Sequence, residues 1–113
     1  QQVPEFRKAF DMICEIVRFA VKPGTTREDV LADARTVAER WQGETELVRK
    51  HFLFDGDQDV RGVYFWHSRE AADAAHNDVW RQRCKDVHGS TPIIEYFDTV
   101  MIVDNTDGSV TEY

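Results

Sequence analysis

The chain has 113 residues, enough for one domain with a single hydrophobic core and too few for two. Its 21 acidic and 14 basic residues give a net charge of −7, which argues against nucleic acid as a partner, because the phosphate backbone selects basic surfaces. No apolar run approaches the ~18 residues that a membrane-spanning helix requires. We therefore expect one cytoplasmic domain over residues 1–113, its core spanning about 11–104, with no membrane or nucleic-acid partner.

Two minor features carry no predicted function. Cys14 and Cys84 lie far apart without a C-x-x-C spacing, so we expect both to be small hydrophobic residues and not redox or metal-binding groups. Residues 1–10 contain Pro4 and a short mixed run, which is predicted to form a turn or a segment that clamps the edge of the domain.

The first predicted strand covers residues 11–21 and is apolar on both faces. A strand that can be buried on both sides is typical of the middle of a sheet. Two charges interrupt it, Glu15 on one face and Arg18 on the other. Because burying an unpaired charge is costly, each of them should have a partner or reach water.

A helix and a second strand follow. Thr26 is the predicted N-cap of the helix, which has an apolar stripe at helical spacing and is expected to end at Gly43. The second strand covers residues 46–54. Its alternation places Arg49 and His51 on one face, which is polar enough to meet water or a ligand.

The second half of the chain begins with a loop at residues 55–59, where Asp recurs at alternate positions. The loop lacks the later Gly and Glu of a calcium-binding EF-hand, so a solvated hairpin loop is predicted. A third strand over 60–67 then leads into an Ala-rich helix, capped by Ser68 and running to about Lys85. The fourth strand is predicted over 93–103, and residues 109–113 as a short edge strand or tail.

This order is β-α-β-β-α-β, the ferredoxin-like arrangement of the α+β class, with two helices on one face of a four-stranded antiparallel sheet. Because the first and fourth strands are apolar on both faces, the other face of the sheet would expose more apolar surface than monomers usually tolerate. A second sheet is expected to cover it. The sequence therefore predicts a homodimer whose sheets pack face to face, a dimeric α+β barrel.

Several short runs resemble a known family. They are Gly62 to Trp66, Ser68 to Ala72, Pro92, Tyr96 to Asp98, and Val103 to Asn105. With the predicted element order, they make nearly the whole chain similar to the antibiotic-biosynthesis-monooxygenase (ABM) superfamily, and most similar to a bacterial branch whose members are commonly labelled monooxygenases. The strand that leads into the capped Ala-rich helix is the most specific part.

The resemblance implies a dimeric barrel with a pocket between sheet and helices in each subunit. In the best-known members it also implies oxidation of polyketide phenols by O2 without flavin, haem or metal, so no cofactor is expected. Relatives on the same fold include isomerases, cyclases, dehydratases, haem-degrading enzymes and members with no known activity. The function is therefore inferred from the fold.

The haem-degrading branch is disfavoured. That branch has an Asn on the first strand and, on the second helix, a Trp followed ten residues later by a His. This chain has no Asn between Met12 and Val21, and His76 precedes Trp80 by four residues. Both the order and the spacing differ from the pattern of that branch.

His76 and Trp80 are predicted to share one face of the second helix, one turn apart. The first half of this helix is thin because it is rich in Ala. Large aromatic side chains on the sheet then either close the gap, with His76 a core residue, or leave a cavity with aromatic walls. Such a cavity would bind a small apolar or aromatic ligand.

The other candidate side chains lie on the strands. His51 and His67 are further candidate bases, since an unperturbed His titrates near pH 6.5, but the four His have no metal-ligand spacing and no metal is predicted. Tyr64 and Trp66 share one face of the third strand, and Phe65 and His67 share the other. The alternation leaves open which face lines the pocket.

The leading hypothesis is a cofactor-independent monooxygenase that acts on a small aromatic or polyketide-like substrate. A His would act as the general base, with other side chains binding the substrate; the candidates are His51, His67 and His76 for the base, Arg49 and Tyr64 for hydrogen-bond donors, and Phe65, Trp66 and Trp80 for the walls. Two alternatives remain open. One is a non-oxidative cyclase, isomerase or dehydratase that uses the same pocket, and the other is a non-catalytic dimeric module for ligand binding or stress response.

Overall fold

A computed structural model describes residues 11–113. The predicted turn or clamp in residues 1–10 lies outside this range. The strands are β1 Ile13–Ala20, β2 Leu47–Phe54, β3 Asp59–Trp66, β4 Ile93–Asp98, β5 Met101–Asp104 and β6 Ser109–Glu112, and the helices are α1 Arg27–Gln42, α2 Arg69–Ala75 and α3 Asp78–His88.

The main sheet has four antiparallel strands in the order β2-β3-β1-β4. Its central strands, β1 and β3, are the most buried, and the central position of β1 is the one that the sequence predicted. The helices lie on one face of this sheet, so the ferredoxin-like α+β fold is confirmed. The register places Glu15 opposite Tyr64 on one side and opposite Tyr96 on the other, with all three side chains on the helix-covered face.

The predicted helix starts are confirmed. At the start of α1 the Thr26 side chain accepts a hydrogen bond from the Asp29 N–H, and the Asp29 carboxylate accepts one from the Thr26 N–H, which completes a capping box. At the start of α2 the Ser68 hydroxyl accepts a hydrogen bond from the Ala71 N–H. These caps satisfy backbone donors that have no partner within the helix.

The predicted helix from Ser68 to Lys85 was wrong as a single element. It breaks at His76, whose backbone angles of −114° and 49° are not helical, and a new helix begins after Asn77. The Asn77 side chain accepts a hydrogen bond from the Trp80 N–H. Asn competes for backbone hydrogen bonds in this way, which makes it a better N-cap than an interior helical residue.

The predicted fourth strand, 93–103, is also two elements. Asp98 at the end of β4 pairs with Ile13, the first residue of β1, so the residues that follow have no further strand to pair with. The chain leaves the sheet after the Thr99 N–H donates to the Met12 carbonyl, 2.8 Å away. Its apolar run then continues in β5, which pairs with β6 in a separate hairpin.

The two faces of the main sheet have different surroundings. The helix-covered face holds the core, which includes Val17, Tyr64, Trp66 and Ala72. On the outer face, Leu53, Ile93 and Phe97 are 43%, 52% and 50% exposed. No helix within residues 11–113 is both long enough and apolar enough to cross a membrane.

Candidate functional site

The site is centred on Glu15, which β1 places in the middle of the sheet with its side chain under the helices. It is 0% exposed. The Trp66 indole Nε1–H donates a hydrogen bond to its carboxylate at 2.9 Å, and His76 Nδ1 lies 2.9 Å from the same carboxylate. Glu15 thus has the partners that its burial requires.

His76 is held in a fixed orientation because the backbone on either side of its ring is tied down. Its N–H donates to the Ala72 carbonyl, and its own carbonyl accepts from Arg81 Nε at 3.0 Å. Because a carboxylate only accepts hydrogen bonds, Nδ1 is the donor to Glu15. The other ring nitrogen, Nε2, is buried and has no hydrogen-bond partner within residues 11–113.

Three aromatic rings enclose the His76 imidazole. Trp80 lies 4.5 Å away and Tyr64 4.7 Å away, both edge to face, and Trp41 lies 5.5 Å away at a tilt, measured between ring centroids. Only 1% of His76 is exposed. His76 and Trp80 therefore do lie side by side, although they belong to different elements and not to one helical face.

A cleft of about 100 Å³ lies on the other side of these rings, between α1, α3 and the sheet. We call it the aromatic cleft; its walls include Trp41, Phe52, Tyr64 and Trp80. Of the two arrangements that the sequence left open between the Ala-rich helix and the sheet, the gap is the closed one. Ala72 and Ala75 pack into the core cluster that also contains Trp66.

Lys50, on β2, points into the aromatic cleft. Its Nζ lies 3.8 Å from the Phe52 ring centroid, 4.3 Å from that of Trp41 and 4.5 Å from that of Tyr64. Burial, and secondarily the positive charge of Arg40, lower the pKa of Lys50 to about 7. The sequence interpretation missed this residue. The available signal was a lone Lys among apolar residues on one face of a strand, with Phe52 and Phe54.

Burial raises the pKa values of two tyrosines and one cysteine near the site. For Tyr64 and Tyr96, desolvation is the main cause and the negative charge of Glu15 is the second, because both oppose formation of a phenolate. Desolvation raises the pKa of Cys84, which lines the aromatic cleft, to about 11. The two tyrosines and this thiol are therefore uncharged at neutral pH.

The remaining predicted site residues are dispersed. Arg49 and His51 are exposed, and the register places them, with Phe65, on the outer face of the sheet. His67 follows β3, half-buried, and its N–H donates to the Glu46 carbonyl. Of the three predicted His bases, His76 is the one that contacts the walls of the aromatic cleft.

No group of three His, Cys, Asp or Glu side chains within residues 11–113 converges closely enough to hold a metal ion. What the site offers is a carboxylate–imidazole pair, an amine and four aromatic walls. Such groups can move a proton and hold a planar molecule.

No family model and no curated protein matches the sequence. Solved structures do match it. A monooxygenase of Streptomyces coelicolor, from the gene ActVA-Orf6, in complex with the ligand nanaomycin D, superposes with a TM-score of 0.61 at 12% identity, over 85% of this chain and 94% of that chain. A Bordetella bronchiseptica protein named for the antibiotic biosynthesis monooxygenases gives 0.60 at 18% identity, over 80% and 98%.

A variant of SnoaB, a cofactor-independent oxygenase from Streptomyces nogalater, also superposes, with a TM-score of 0.60 at 16% identity over 84% of this chain and 99% of that chain. This chain has the fold of the antibiotic-biosynthesis monooxygenases. The resemblance that the sequence suggested is thereby confirmed at the level of fold, and at these identities the match carries no site residues across.

Proposed function

We propose that the protein is a cofactor-independent monooxygenase that oxidises a small aromatic substrate bound in the aromatic cleft. The observation that carries the proposal is the buried Glu15–His76 pair. The His76 ring lies against two rings of the cleft wall, Tyr64 and Trp80, and its Nε2 has no hydrogen-bond partner within residues 11–113. A buried nitrogen without a partner is costly, so its retention favours a functional role. The similar structures, a monooxygenase and a cofactor-independent oxygenase among them, support the same reaction class.

In the proposed reaction His76 takes a proton from an acidic carbon or hydroxyl of the substrate. The Glu15 carboxylate holds Nδ1–H and stabilises the imidazolium that forms. The substrate anion passes an electron to O2, and the two radicals combine. One oxygen atom then remains on the substrate carbon as a carbonyl and the other leaves as water, so that a CH2 group and O2 become a C=O group and H2O.

His76 is fully enclosed, so the substrate must displace a ring to reach Nε2. Trp80 is the side chain best placed to move. It is half-buried and lies on α3, directly after the helix break, whereas Tyr64 and Trp41 are held in the core cluster. Rotation of the Trp80 ring would join the aromatic cleft to His76.

We also propose that two chains pair through the outer face of the sheet. The exposed side chains of Leu53, Ile93 and Phe97 make that face apolar, and monomers rarely leave such a surface open to water. A second copy offers the same face, and two-fold pairing of identical patches is the commonest way for a single chain to cover one. Analytical ultracentrifugation of the wild type and of Phe97→Glu tests this: the wild type should sediment as a dimer and the variant as a monomer.

The reaction is tested by incubating metal-free protein with a panel of phenols and anthrone-like compounds while O2 consumption and products are followed. His76→Gln should abolish turnover, and His51→Gln, on the outer face, is the matched control that should retain it. Circular dichroism and ligand binding check that His76→Gln is folded. If no compound is consumed while ligands still bind, the oxygenase assignment fails. Turnover that persists without O2 would instead support a cyclase, isomerase or dehydratase.

A further inference from the structure

The Lys50 ammonium has no hydrogen-bond acceptor among residues 11–113. An ammonium group carries three donors and no acceptor. Within residues 11–113, no oxygen atom lies within hydrogen-bonding or ion-pair distance of Nζ, and its close contacts are the rings of Trp41, Phe52 and Tyr64. Ring faces stabilise a cation but cannot accept its protons as an oxygen does. No acceptor within this range therefore competes with water or a ligand for these donors.

The charges around the aromatic cleft favour a negatively charged ligand. Among residues 11–113, the cleft is lined by three basic side chains that are not paired with an acid, Arg40, Lys50 and Arg83, and by a single acid, Asp33. Arg61 also borders the cleft, but its side chain lies on the outer face of the sheet and is paired with Asp59. In a chain with a net charge of −7, this local excess of positive charge runs against the overall composition. Clefts lined by one sign of charge with apolar walls attract ligands of the opposite sign.

We propose that Lys50 is the anion-binding residue of the aromatic cleft, and that the ligand is an aromatic compound with an ionised oxygen next to its ring. The ring lies against Trp41, Phe52 or Trp80, and the oxygen accepts hydrogen bonds from the Lys50 ammonium. The inference builds on the proposed use of this cleft as the substrate site. It narrows the substrate class from aromatic compounds in general to carboxylates or phenolates.

The dimensions limit the ligand to about one ring. The cleft volume is about 100 Å³, which is less than the roughly 150 Å³ of a closed cavity that binds benzene, but the cleft is open on one side, so part of a bound ring can stay in contact with solvent. A charged oxygen inside such a cleft loses part of its hydration, so it binds only where a donor replaces the water. Lys50 is the basic residue that lies deepest among the rings, and so it is the donor best placed to do this.

The pH dependence of ligand binding distinguishes Lys50 from the other ionisable groups that face it. These are Asp33 and Arg40 on α1, Glu15 on β1, Tyr64 on β3, and Arg83 and His88 on α3. Burial lowers the pKa of His88 from its ordinary 6.5 and raises that of Tyr64 well above 10, so both groups are mostly uncharged between pH 6.5 and 8.5. Lys50, with a pKa of about 7, loses its proton in this window.

The experiment measures binding of benzoate, 4-nitrophenolate and benzyl alcohol by calorimetry and by quenching of tryptophan fluorescence, in nitrogen-purged buffer. Benzoate stays ionised from pH 6.5 to 8.5. Its affinity for the wild type should exceed that of benzyl alcohol and should fall as the pH rises through 7. Lys50→Met should lose about tenfold to a hundredfold in benzoate affinity at pH 6.5, the range expected for a hydrogen bond to a charged group.

Two controls separate charge from structure. Lys50→Arg keeps a cation at every pH, so it should bind benzoate with an affinity that does not change between pH 6.5 and 8.5. Lys85→Met, on the exposed side of α3, should bind as the wild type does.

The two anionic probes distinguish the kind of ligand. A preference for 4-nitrophenolate over benzoate would identify the ionised oxygen as a phenolate, and a preference for benzoate would identify it as a carboxylate.

The inference is overturned if benzyl alcohol binds as well as benzoate does, or if Lys50→Met binds benzoate normally. It is also overturned if Lys50→Arg shows the same pH dependence as the wild type. Because these measurements need no O2, they stand apart from the oxygenase assay. If the protein binds anions but oxidises no phenol, the Lys50 inference stands and the proposed reaction fails. If it oxidises a phenol but does not bind anions through Lys50, the proposed reaction stands and the Lys50 inference fails.

Discussion

Two ionisable groups of the helix-covered face, His76 and Lys50, contact the same two rings and yet have opposite surroundings. Trp41 and Tyr64 touch both. His76 is sealed from solvent and bonded to Glu15, whereas Lys50 lies in an open cleft, and no carboxylate of residues 11–113 is within ion-pair distance of its Nζ. The Trp41–Tyr64 pair thus lies between the buried Glu15–His76 pair and the Lys50 amine, which stays open to a ligand.

The difference follows from the cost of desolvation. A group that water cannot reach must find its partners inside the protein, and Glu15 has two of them, His76 and Trp66. A group that water can still reach has no such requirement. Glu15 has hydrogen-bond partners inside the protein, whereas Lys50 Nζ has none within residues 11–113. This difference distinguishes the sealed region of the site from the open one.

The largest expected effect comes from removing the centre of the sealed region. Glu15→Ala leaves His76 Nδ1 and the Trp66 indole buried without an acceptor, which should lower the free energy of unfolding by about 3–5 kcal/mol. Urea denaturation followed by circular dichroism measures the loss. Glu39→Gln, on the exposed side of α1, is the control and should change the free energy of unfolding by no more than about 0.5 kcal/mol. A loss below about 1 kcal/mol for Glu15→Ala would mean that the pair contributes little to stability.

The Trp41–Tyr64 pair, which contacts both His76 and Lys50, is tested by Gly62→Ala. A Cβ at this position would lie 2.7 Å from Tyr64 Cε1, and the Tyr64 ring, 2% exposed, is packed too tightly to move freely. We expect a loss of about 1–3 kcal/mol in the free energy of unfolding. Gly43→Ala is the matched control, because a Cβ there meets only ordinary contacts, the nearest atom being the Arg40 carbonyl oxygen at 3.4 Å. Equal effects for the two variants would show that Tyr64 is not constrained as described.

The open region is tested by Lys50→Met as a function of pH. Lys50 has a pKa of about 7 in the folded protein, below the ordinary value of 10.5. Between these values the unfolded chain binds more protons, so the wild type gains stability as the pH rises above 7. Lys50→Met should therefore be more stable than the wild type at pH 6, by about 1–2 kcal/mol after discounting for partial solvation and for the ring contacts.

The advantage of Lys50→Met should shrink by pH 9, because the wild type then buries a neutral amine. Denaturation curves at pH 6, 7.5 and 9 measure the difference, and the two chains share every other titrating group. Lys85→Met, compared with the wild type in the same way, should show no such trend. A difference that is constant from pH 6 to 9 would mean that Lys50 keeps an ordinary pKa.

The smallest effect is expected at the surface of α2. Asp73→Asn removes the ion pair with Arg69, which spans 3.2 Å between side chains that are 53% and 57% exposed. Water and salt screen such a pair, so the loss should be at most about 0.5 kcal/mol and should disappear at high salt. Thermal denaturation at low and high salt measures it. A loss comparable to that of Glu15→Ala would contradict the contrast between buried and exposed ion pairs.

The sequence by itself determined the order of the main elements and their starts. A run that is apolar on both faces marks β1, and Thr26 and Ser68 mark the helix N-termini, because these signals depend on neighbours within a few residues. The break after His76 could also have been predicted from the sequence, since Asn77 caps α3 through a contact only three residues away. The Ala-rich run before it favoured one continuous helix, so the break was not predicted. The requirement that Glu15 have a partner followed from charge and burial alone.

The tertiary structure alone decided which groups are partners. His76 and Glu15 are 61 residues apart, and Trp66 is 51 residues from Glu15, so no local pattern could join them. The same holds for Lys50, whose environment comes from Trp41 on α1 and Tyr64 on β3. Periodicity places a residue on one face of its own element. Only the packing of helices against the sheet determines whether that face meets a carboxylate, an aromatic ring or an open cleft.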